Sequence, residues 1–371
     1  RKVMDLWIVN CVAVFLLCVF CAGIVIPQIL LIAFRKKLFD MPDDRKIHRS
    51  AVPRLGGIAF KPVVFFSFVL VLGVNAATGC ADMPGELGEH AKPLAFSFCA
   101  IMMLYLTGMA DDLIGVRYRA KFIIQILCGV MLISGGIWLD DLHGVFGVHA
   151  VPEWIGWPLT VLITVFIINA INLIDGIDGL ASGLCSIACL TFGVAFFSIG
   201  CHIYAMLAFA TLGVLLPFYY YNVFGNPEKQ KKIFMGDTGS LTIGMMLCIL
   251  AFLLSLNASG ANGGTLNPLV LAFSPLLVPC CDVVRVYLHR VRAGNNPFLP
   301  DKNHIHHKLL AVGMKQRPAM VTIVLFSLAL TLANYAMSRH VDVNLILVID
   351  IAVWTVLNIA LSKAIAKRKA K

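Results

Sequence analysis

Charged residues are scarce in this chain: only 13% of its 371 residues are Asp, Glu, Lys or Arg, while 59% are hydrophobic. A soluble globular domain carries about 25% charged residues, and the mean hydropathy here is +0.87. This composition excludes an ordinary soluble domain and predicts an integral membrane protein. The net charge of +10 fits the topology of a membrane protein, so we expect no nucleic-acid partner.

Several other patterns are missing as well. The twelve cysteines lack the spacing of a metal site or a disulfide framework, so we interpret them as small apolar fillers. The apolar runs do not alternate with polar residues as the strands of a membrane barrel do. There is no internal repeat and no loop long enough for a soluble domain. Residues 1–371 are therefore predicted to form a single integral-membrane domain.

Long hydrophobic runs are what the sequence has instead. A helical span needs about 20 mainly apolar residues, and a helix satisfies the backbone groups that lipid leaves without partners. The sequence therefore predicts an all-α polytopic protein of about eleven transmembrane helices. The predicted spans are 6–34, 55–78, 93–110, 122–139, 155–174, 180–198, 203–222, 239–257, 268–289, 319–338 and 344–362.

Basic residues are divided unequally between the two sets of loops. Of the 30 lysines and arginines, 24 follow odd-numbered spans, whereas 4 lie in the opposite set. Basic residues accumulate in cytoplasmic loops, so the N-terminus is predicted outside and the C-terminus in the cytoplasm. The basic C-terminal residues would then face anionic lipid headgroups.

Polar clusters at the ends of the spans all map to the predicted cytoplasmic side. Asp111 and Asp112 follow the third span, and two adjacent carboxylates repel each other unless a cation lies nearby. Taken alone they indicate a solvated helix end, and a phosphate-handling site with a metal or basic residues close by is the functional alternative. The basic residues that follow supply charge for phosphate or lipid headgroups: Arg117, Arg119 and Lys121.

The end of the fifth span carries a polar residue at every third position. On a helix such residues drift slowly around one face, so the first of them can converge on one point. Their amide and carboxylate oxygens suit Mg²⁺ rather than zinc. The alternative is a polar seam between helices. The residues are Asn169, Asn172, Asp175 and Asp178.

The start of the eighth span contains Asp237 in a Gly-Asp-Thr-Gly-Ser stretch. Such residues suit a helix N-cap. A helix N-terminus also attracts phosphate through its free N–H groups, and Asp237 could there hold Mg²⁺ against a diphosphate. Both interpretations remain open from the sequence.

A histidine cluster follows the ninth span. Its imidazoles fit hydrogen-bond donors to phosphate or sugar oxygens. Zinc is disfavoured because no cysteine or fourth ligand lies nearby, and a solvated loop is the remaining alternative. The histidines are His304, His306 and His307, and two further polar residues, His48 and Arg49, precede the second span.

With these motifs the chain resembles the polyprenyl-phosphate N-acetylhexosamine-1-phosphate transferases of glycosyltransferase family 4. The family's paired aspartates match Asp111 and Asp112, and its Phe-Met-Gly-Asp aspartate matches Asp237. Its Asn-x-x-Asn-x-x-Asp-Gly-x-Asp-Gly motif matches residues 169–179. The His-Ile-His-His motif at 304–307 and an early histidine-to-glycine pattern at 48–57 match as well. Several separated motifs in the right order make the resemblance specific.

The resemblance implies a Mg²⁺-dependent enzyme, with Mn²⁺ as a substitute, that transfers a HexNAc-1-phosphate from a UDP-sugar to undecaprenyl phosphate and releases UMP. The His-Ile-His-His motif favours UDP-GlcNAc as the donor. Asp237 and Asn172 would bind the metal, and Lys121 would contact the diphosphate. Asp111 would deprotonate or position the lipid phosphate, and Asp112 would hold Lys121 or the acceptor. The substrate-binding residues implied besides Lys121 are Asn169, Asp175, Asp178, His48, Arg49, His304, His306 and His307.

The same resemblance places the enzyme in the bacterial inner membrane, with its active site facing the cytoplasm. It implies the first membrane step of cell-envelope polysaccharide synthesis, such as that of lipopolysaccharide, and a homodimer is a further expectation. A phospho-MurNAc-pentapeptide transferase is the alternative, but that branch has a lysine in place of Gly115 and a third consecutive histidine in place of Ile305. A membrane transporter is the alternative from another class, although transporters place their charges near the bilayer midplane.

Overall fold

The computed structural model describes residues 2–38, 52–79, 83–258, 266–294 and 303–369, which fold into a bundle of α-helices. The helices are α1 (Lys2–Arg35), α2 (Phe60–Thr78), α3 (Met83–Ile114), α4 (Tyr118–Ser134), α5 (Glu153–Ile174), α6 (Leu180–Ser198), α7 (His202–Phe224), α8 (Gly236–Ala258), α9 (Pro268–Phe273), α10 (Leu277–Arg292), α11 (Ile305–Val312), α12 (Gln316–Met337) and α13 (Val343–Lys369). Short 3₁₀ turns lie at Gly56–Ala59, Val145–Gly147 and Ser274–Leu276. Within the described ranges no β-strand forms, so the predicted all-α class is confirmed.

Ten helical segments in the described part of the chain are long and apolar enough to cross a membrane. The sequence predicted eleven, and the difference is the span at 122–139. There the helix α4 has 17 residues, which at 1.5 Å per residue is about 25 Å and shorter than a usual span. The chain is therefore a multi-pass membrane protein in which α4 is a short helix between α3 and α5.

The predicted span at 268–289 is a broken helix. Helix α9 stops at Phe273, and a 3₁₀ turn containing Pro275, which has no N–H group to donate, precedes α10. The break leaves the Ser274 hydroxyl within 3.3 Å of the Asn334 amide nitrogen, which also donates to Asp350 at 2.9 Å. Asn334 of α12 therefore contacts both Ser274 at the break and Asp350 of α13 inside the apolar part of the bundle.

Helix α8 is the centre of the bundle, and nearly all of its residues are buried. Two neighbouring segments place a glycine directly against the first turn of α8. A Cβ atom at Gly57 would lie 2.0 Å from the Gly239 nitrogen, and one at Gly108 would lie 2.5 Å from the Thr238 Cα atom. Only glycine fits at such distances, so the turn before α2 and the last part of α3 are held directly beside the start of α8.

Candidate active site

Asp112 caps the N-terminus of α8. Its Oδ1 accepts a hydrogen bond from the Asp237 N–H at 2.8 Å, and its Oδ2 accepts from the N–H and hydroxyl of Thr238 at 2.8 and 2.6 Å. These are the N–H groups that could otherwise bind a phosphate at a helix N-terminus. The acceptor for these groups is supplied by α3 and not by the Gly-Asp-Thr-Gly-Ser stretch, as the N-cap interpretation expected, and the role of Asp237 at a metal stays a prediction. The predicted catalytic role of Asp112 stays a prediction.

Lys121 lies between the other two predicted catalytic acids. Its Nζ atom is 2.9 Å from Asp111 Oδ2 and 3.4 Å from Asp237 Oδ2. The second oxygen of Asp111 accepts from the Val116 N–H at 2.6 Å, so this carboxylate is held from both sides. Lys121 therefore pairs with Asp111 and Asp237. Of the two roles expected for Asp112, the structure does not show the one of holding Lys121, and that of holding the acceptor stays a prediction.

The charge of Lys121 is stabilised by this arrangement. Burial by itself would lower the pKa of the ammonium group, but the hydrogen bond to Asp111 and the charge of Asp237 outweigh it and raise the pKa above its usual value. Lys121 is thus a fixed positive charge at neutral pH. It offers the pocket a permanent counter-charge for phosphate oxygens.

Asn172 reaches the same pocket from the last turn of α5. Its amide nitrogen donates to Asp237 Oδ1 at 2.6 Å and to the Ser240 hydroxyl at 2.8 Å. The Ser240 hydroxyl in turn donates to the Gly236 carbonyl at 3.1 Å. The two residues predicted as metal ligands are therefore in direct contact, although they come from positions 65 residues apart in the chain.

Asp175 follows α5 and lies at the side of this pocket. Its side chain is exposed. Loss of solvation, followed by the charges of Asp178 and Asp237, raises the pKa of Asp175 to about 7, while Arg54 acts in the opposite direction. The predicted substrate-binding role of Asp175 stays a prediction, but the residue belongs electrostatically to the site.

Asp178 has a different environment, because it forms an ion pair with Lys232. The side chains are 12% and 11% exposed, respectively, and the Lys232 ammonium also lies 5.9 Å from the Phe234 ring centroid. The pair connects the turn after α5 with the segment that leads into α8. Asp178 therefore supports the walls of the site, and its predicted contact with substrate stays a prediction.

Replacing Lys232 by Met is expected to lower the free energy of unfolding by about 3 kcal/mol, because a nearly buried carboxylate would lose its counter-charge. The measurement is thermal unfolding in detergent. The matched control is Lys231→Met, since Lys231 is exposed. Equal melting temperatures for the two variants would contradict the structural role of the pair.

Asn169 lies one turn before Asn172 and faces α4. Its amide nitrogen donates to Gln125 Oε1 at 2.7 Å and to the Val165 carbonyl at 2.7 Å, and its oxygen lies 3.5 Å from Gln125 Nε2. Asn169 thus joins α5 to α4 below the pocket, and the structure does not bring it into contact with Asp237 or Lys121. Its predicted substrate contact stays a prediction.

The histidine cluster begins at the N-terminus of α11, which the sequence did not predict as a helix. His304 precedes the helix, and its Nδ1 lies 2.8 Å from Asp282 Oδ2. The rings of His304 and His306 are parallel with centroids 5.8 Å apart, and the His306 and His307 centroids are 4.2 Å apart.

His306 joins this cluster to the rest of the site. A Cβ atom at Gly176 would lie 2.2 Å from His306 Nε2, so the ring presses on the turn that contains Asp175. Burial, followed by the neighbouring His307 and His304, lowers the pKa of His306 to about 3, so its ring is neutral at physiological pH. Neither of its ring nitrogens has a hydrogen-bond partner within the described residues.

Some parts of the site lie beyond the sequence-based prediction or beyond the described residues. His48 and Arg49 fall outside the described ranges. Lys232 and Gln125 had not been singled out. Lys232 had been counted only as a basic loop residue, whereas Gln125 lies four residues after Lys121 and so on the same face of α4, a spacing that could have indicated it.

Comparisons with known proteins show the family of this chain. The family model described as glycosyl transferase family 4 matches residues 94–255, which include the acids and Lys121. A probable undecaprenyl-phosphate N-acetylglucosaminyl 1-phosphate transferase of Bacillus subtilis is 33% identical over 87% of this chain and 83% of its own length. An undecaprenyl-phosphate alpha-N-acetylglucosaminyl 1-phosphate transferase of Yersinia pestis is 30% identical over 79% and 75%. A decaprenyl-phosphate N-acetylglucosaminephosphotransferase of Mycolicibacterium smegmatis is 32% identical over 80% and 74%.

Fold, site and relatives together define the protein as a multi-pass membrane enzyme of the phosphotransferase class. The transporter alternative is thereby set aside. The chain belongs to glycosyl transferase family 4, among the polyprenyl-phosphate N-acetylhexosamine-1-phosphate transferases.

Proposed function

We propose that the protein catalyses the Mg²⁺-dependent transfer of GlcNAc-1-phosphate from UDP-GlcNAc to undecaprenyl phosphate, with release of UMP. The observation that carries the proposal is the meeting of Asp111, Lys121 and Asp237, from three different helices, in one pocket. Both substrates are anionic, and this pocket combines carboxylates for a divalent cation with a fixed ammonium group. The relatives named as acting on undecaprenyl or decaprenyl phosphate support an acceptor of this type.

Asp237 and Asn172 are the residues that we propose to hold Mg²⁺, or Mn²⁺ in its place. Mg²⁺ is commonly bound through one or two carboxylates together with water and substrate phosphates. Within the described part of the chain no group of three His, Cys, Asp or Glu side chains forms a complete metal site. The donor set therefore fits an ion that is shared with the diphosphate, and the ion would supply the positive charge that neutralises and orients that group.

The chain's own residues then have separate tasks in the transfer. An oxygen of the lipid phosphate forms a bond to the β-phosphorus of the donor, while the bond from that phosphorus to the bridging oxygen breaks and UMP leaves with this oxygen. Lys121 offsets the negative charge of the phosphoryl group while that group is transferred. Asp111 removes a proton from the lipid phosphate or, since the second pKa of that group is about 6 and leaves little proton at neutral pH, positions it through the Lys121 ammonium group that Asp111 binds. Asp112 keeps Asp237 in place through the cap on α8.

We place the pocket at the cytoplasmic side of a bacterial inner membrane. The unequal distribution of lysine and arginine supports this orientation. The site residues also lie where α3 and α5 end and where α4 and α8 begin, which is one face of an antiparallel bundle. UDP-sugars are soluble, so a cytoplasmic pocket would meet the donor in water and the acceptor in the membrane.

The donor sugar and the pathway belong to the same proposal. The names of the relatives favour GlcNAc over MurNAc-pentapeptide, as do Gly115 and Ile305 in this sequence. The product would be a polyprenyl-diphosphate sugar, formed in the first membrane step of an envelope polysaccharide. A homodimer is proposed as the assembly.

The experiment that tests the function is transfer to undecaprenyl phosphate from a panel of UDP-sugars, with Mg²⁺ and with a chelator. We expect label from UDP-GlcNAc to enter the lipid phase only when the divalent ion is present. Transfer from UDP-MurNAc-pentapeptide alone would replace the proposed donor, and full activity in chelator would refute the role of the metal.

Replacing Lys121 by Met is expected to reduce kcat by about 10²–10³-fold, because a fixed charge at the reacting phosphates is lost. The same change removes a cation that competes for Asp237, so the affinity for Mn²⁺ without nucleotide should rise, as measured by electron paramagnetic resonance. The control is Lys229→Met, which changes an exposed lysine outside the pocket. Unchanged kcat in Lys121→Met would contradict the role given to this lysine.

A further inference from the structure

A carboxylate outside the pocket of Asp111 and Asp237 organises the histidine cluster. Asp282 of α10 is completely buried. Its Oδ1 accepts from Arg285 at 2.8 Å and from the Ile305 N–H at 3.0 Å, and its Oδ2 lies 2.8 Å from His304 Nδ1. A buried carboxylate without partners would be costly. The three contacts therefore form one unit that fixes the start of α11 to α10.

The contact with Asp282 determines the tautomer of His304. An ionised carboxylate can only accept hydrogen bonds, so the proton of the neutral imidazole must reside on Nδ1. The Nε2 atom is then left with a free lone pair and is the only ring atom available to another group. A protonated ring would keep the same orientation, with Nε2 then donating.

His304 is connected to the side of the pocket through His306. Its ring is stacked on His306 with an angle of 4° between the planes, and His306 presses on Gly176 directly after Asp175. The stack on His306 sets the plane of the His304 ring, and the contact with Asp282 sets which edge of the ring faces α10. One buried carboxylate thus fixes a histidine pair that forms a wall beside Asp175.

We infer that Asp282 is a positioning residue for the transfer, holding His304 so that its Nε2 atom forms a hydrogen bond with the donor substrate. This inference rests on the proposed function. Asp282 itself does not touch substrate and acts through His304. Arg285, His306, His307 and Lys308 are the other charged or titratable groups that surround this pair.

A double-mutant cycle tests the inference. Asp282→Asn keeps the shape of the side chain but can donate a hydrogen bond to Nδ1, which permits the wrong tautomer. We expect kcat/KM to fall by about 10–100-fold, since loss of positioning has effects of this size. His304→Ala should cause a similar loss, and the double variant should be no worse than His304→Ala alone. Asp282→Glu should restore part of the activity.

The matched control is Asp350→Asn, which makes the same change at another buried aspartate that contacts Asn334 and not the pocket. It should keep the wild-type kcat and KM. Additive losses in the double variant, or an Asp282→Asn enzyme with wild-type kcat/KM, would overturn the positioning role.

A spectroscopic measurement covers the case in which a variant fails to fold. ¹⁵N NMR of histidine-labelled wild-type protein, with the His304 signals assigned by their loss in His304→Ala or His304→Gln, should show the neutral ring protonated on Nδ1. Protonation on Nε2 would overturn the inference. Wild-type protein that shows the expected tautomer but transfers no label from UDP-GlcNAc would refute the proposed function. Asp282 would then still orient His304, but not for this transfer.

Discussion

Replacing Asp237 by Ala is expected to abolish transfer, with a loss of about 10³-fold or more, because electrostatic stabilisation of the phosphoryl group depends on this position. Asp237 is the residue on which the site converges. One of its oxygens accepts from Asn172 and the other is 3.4 Å from Lys121. The measurement is the transfer of ³²P from the β-phosphate of UDP-GlcNAc into lipid, together with Mn²⁺ binding in the presence of UMP.

The variant Asp237→Asn separates charge from shape in the same assay. It keeps the size of the side chain but removes the charge that would attract a divalent cation, so transfer and Mn²⁺ binding should both be lost. Asp140→Ala serves as the control, because Asp140 lies in the loop between α4 and α5 at the opposite end of these helices from Lys121. Wild-type transfer by Asp237→Asn would remove this residue from the metal site.

Replacing Asp112 by Ala is expected to destabilise the protein as well as inactivate it. Three donors of the first turn of α8 would lose their acceptor: the N–H of Asp237 and the N–H and hydroxyl of Thr238. Loss of a helix cap and of buried hydrogen-bond partners costs about 2–3 kcal/mol. The readout is the temperature of thermal inactivation in detergent, measured alongside transfer.

Asp111→Ala is the matched comparison, because the two acids are neighbours in the chain. Asp111 accepts from Val116 and Lys121 rather than from the start of α8, so this variant should lose transfer while keeping most of its thermal stability. If Asp111→Ala were the less stable of the two, the assignment of the cap to Asp112 would be wrong.

The sequence could predict which residues lie together in the site. It could not predict which of these side chains form hydrogen bonds or ion pairs with each other. Span lengths and the basic loops place Asp111 at the end of α3, Asn172 at the end of α5 and Asp237 at the start of α8, all on one predicted side of the membrane. In the structure Asn172 contacts Asp237, and Lys121 joins Asp111 to Asp237. Which acid binds Lys121 is a different question. Adjacent residues on a helix point about 100° apart, so the packing of α4 against α3 decides the pairing, and no local pattern reports it.

The starts of two helices were also not predictable from local sequence. Helix α8 is capped by Asp112, which lies 125 residues before Asp237, and α11 is held by Asp282, which lies 23 residues before Ile305. Sequence-based prediction of a helix N-terminus looks for a capping side chain directly before the helix. A cap donated by another helix leaves no such signal, and for this reason α11 was not predicted.

Interactions inside the apolar bundle were also only partly predictable. Asp282 and Arg285 are three residues apart on α10, a spacing that brings two side chains onto one helix face, and they form an ion pair at 2.8 Å. Asp350 contacts Asn334, which belongs to a different helix, so no spacing in the sequence indicates this pair. The break before α10 was missed although Pro275 is present, since proline is tolerated within membrane helices.

The most direct test of the account is the fate of the two labels in UDP-GlcNAc that carries ³H in the sugar and ³²P in the β-phosphate. With purified protein, undecaprenyl phosphate and Mg²⁺, both labels should enter the lipid in equal amounts, and UMP should appear in the same quantity. Release of UDP with only ³H in the lipid would show glycosyl transfer instead, and would contradict a pocket built to bring two phosphates together.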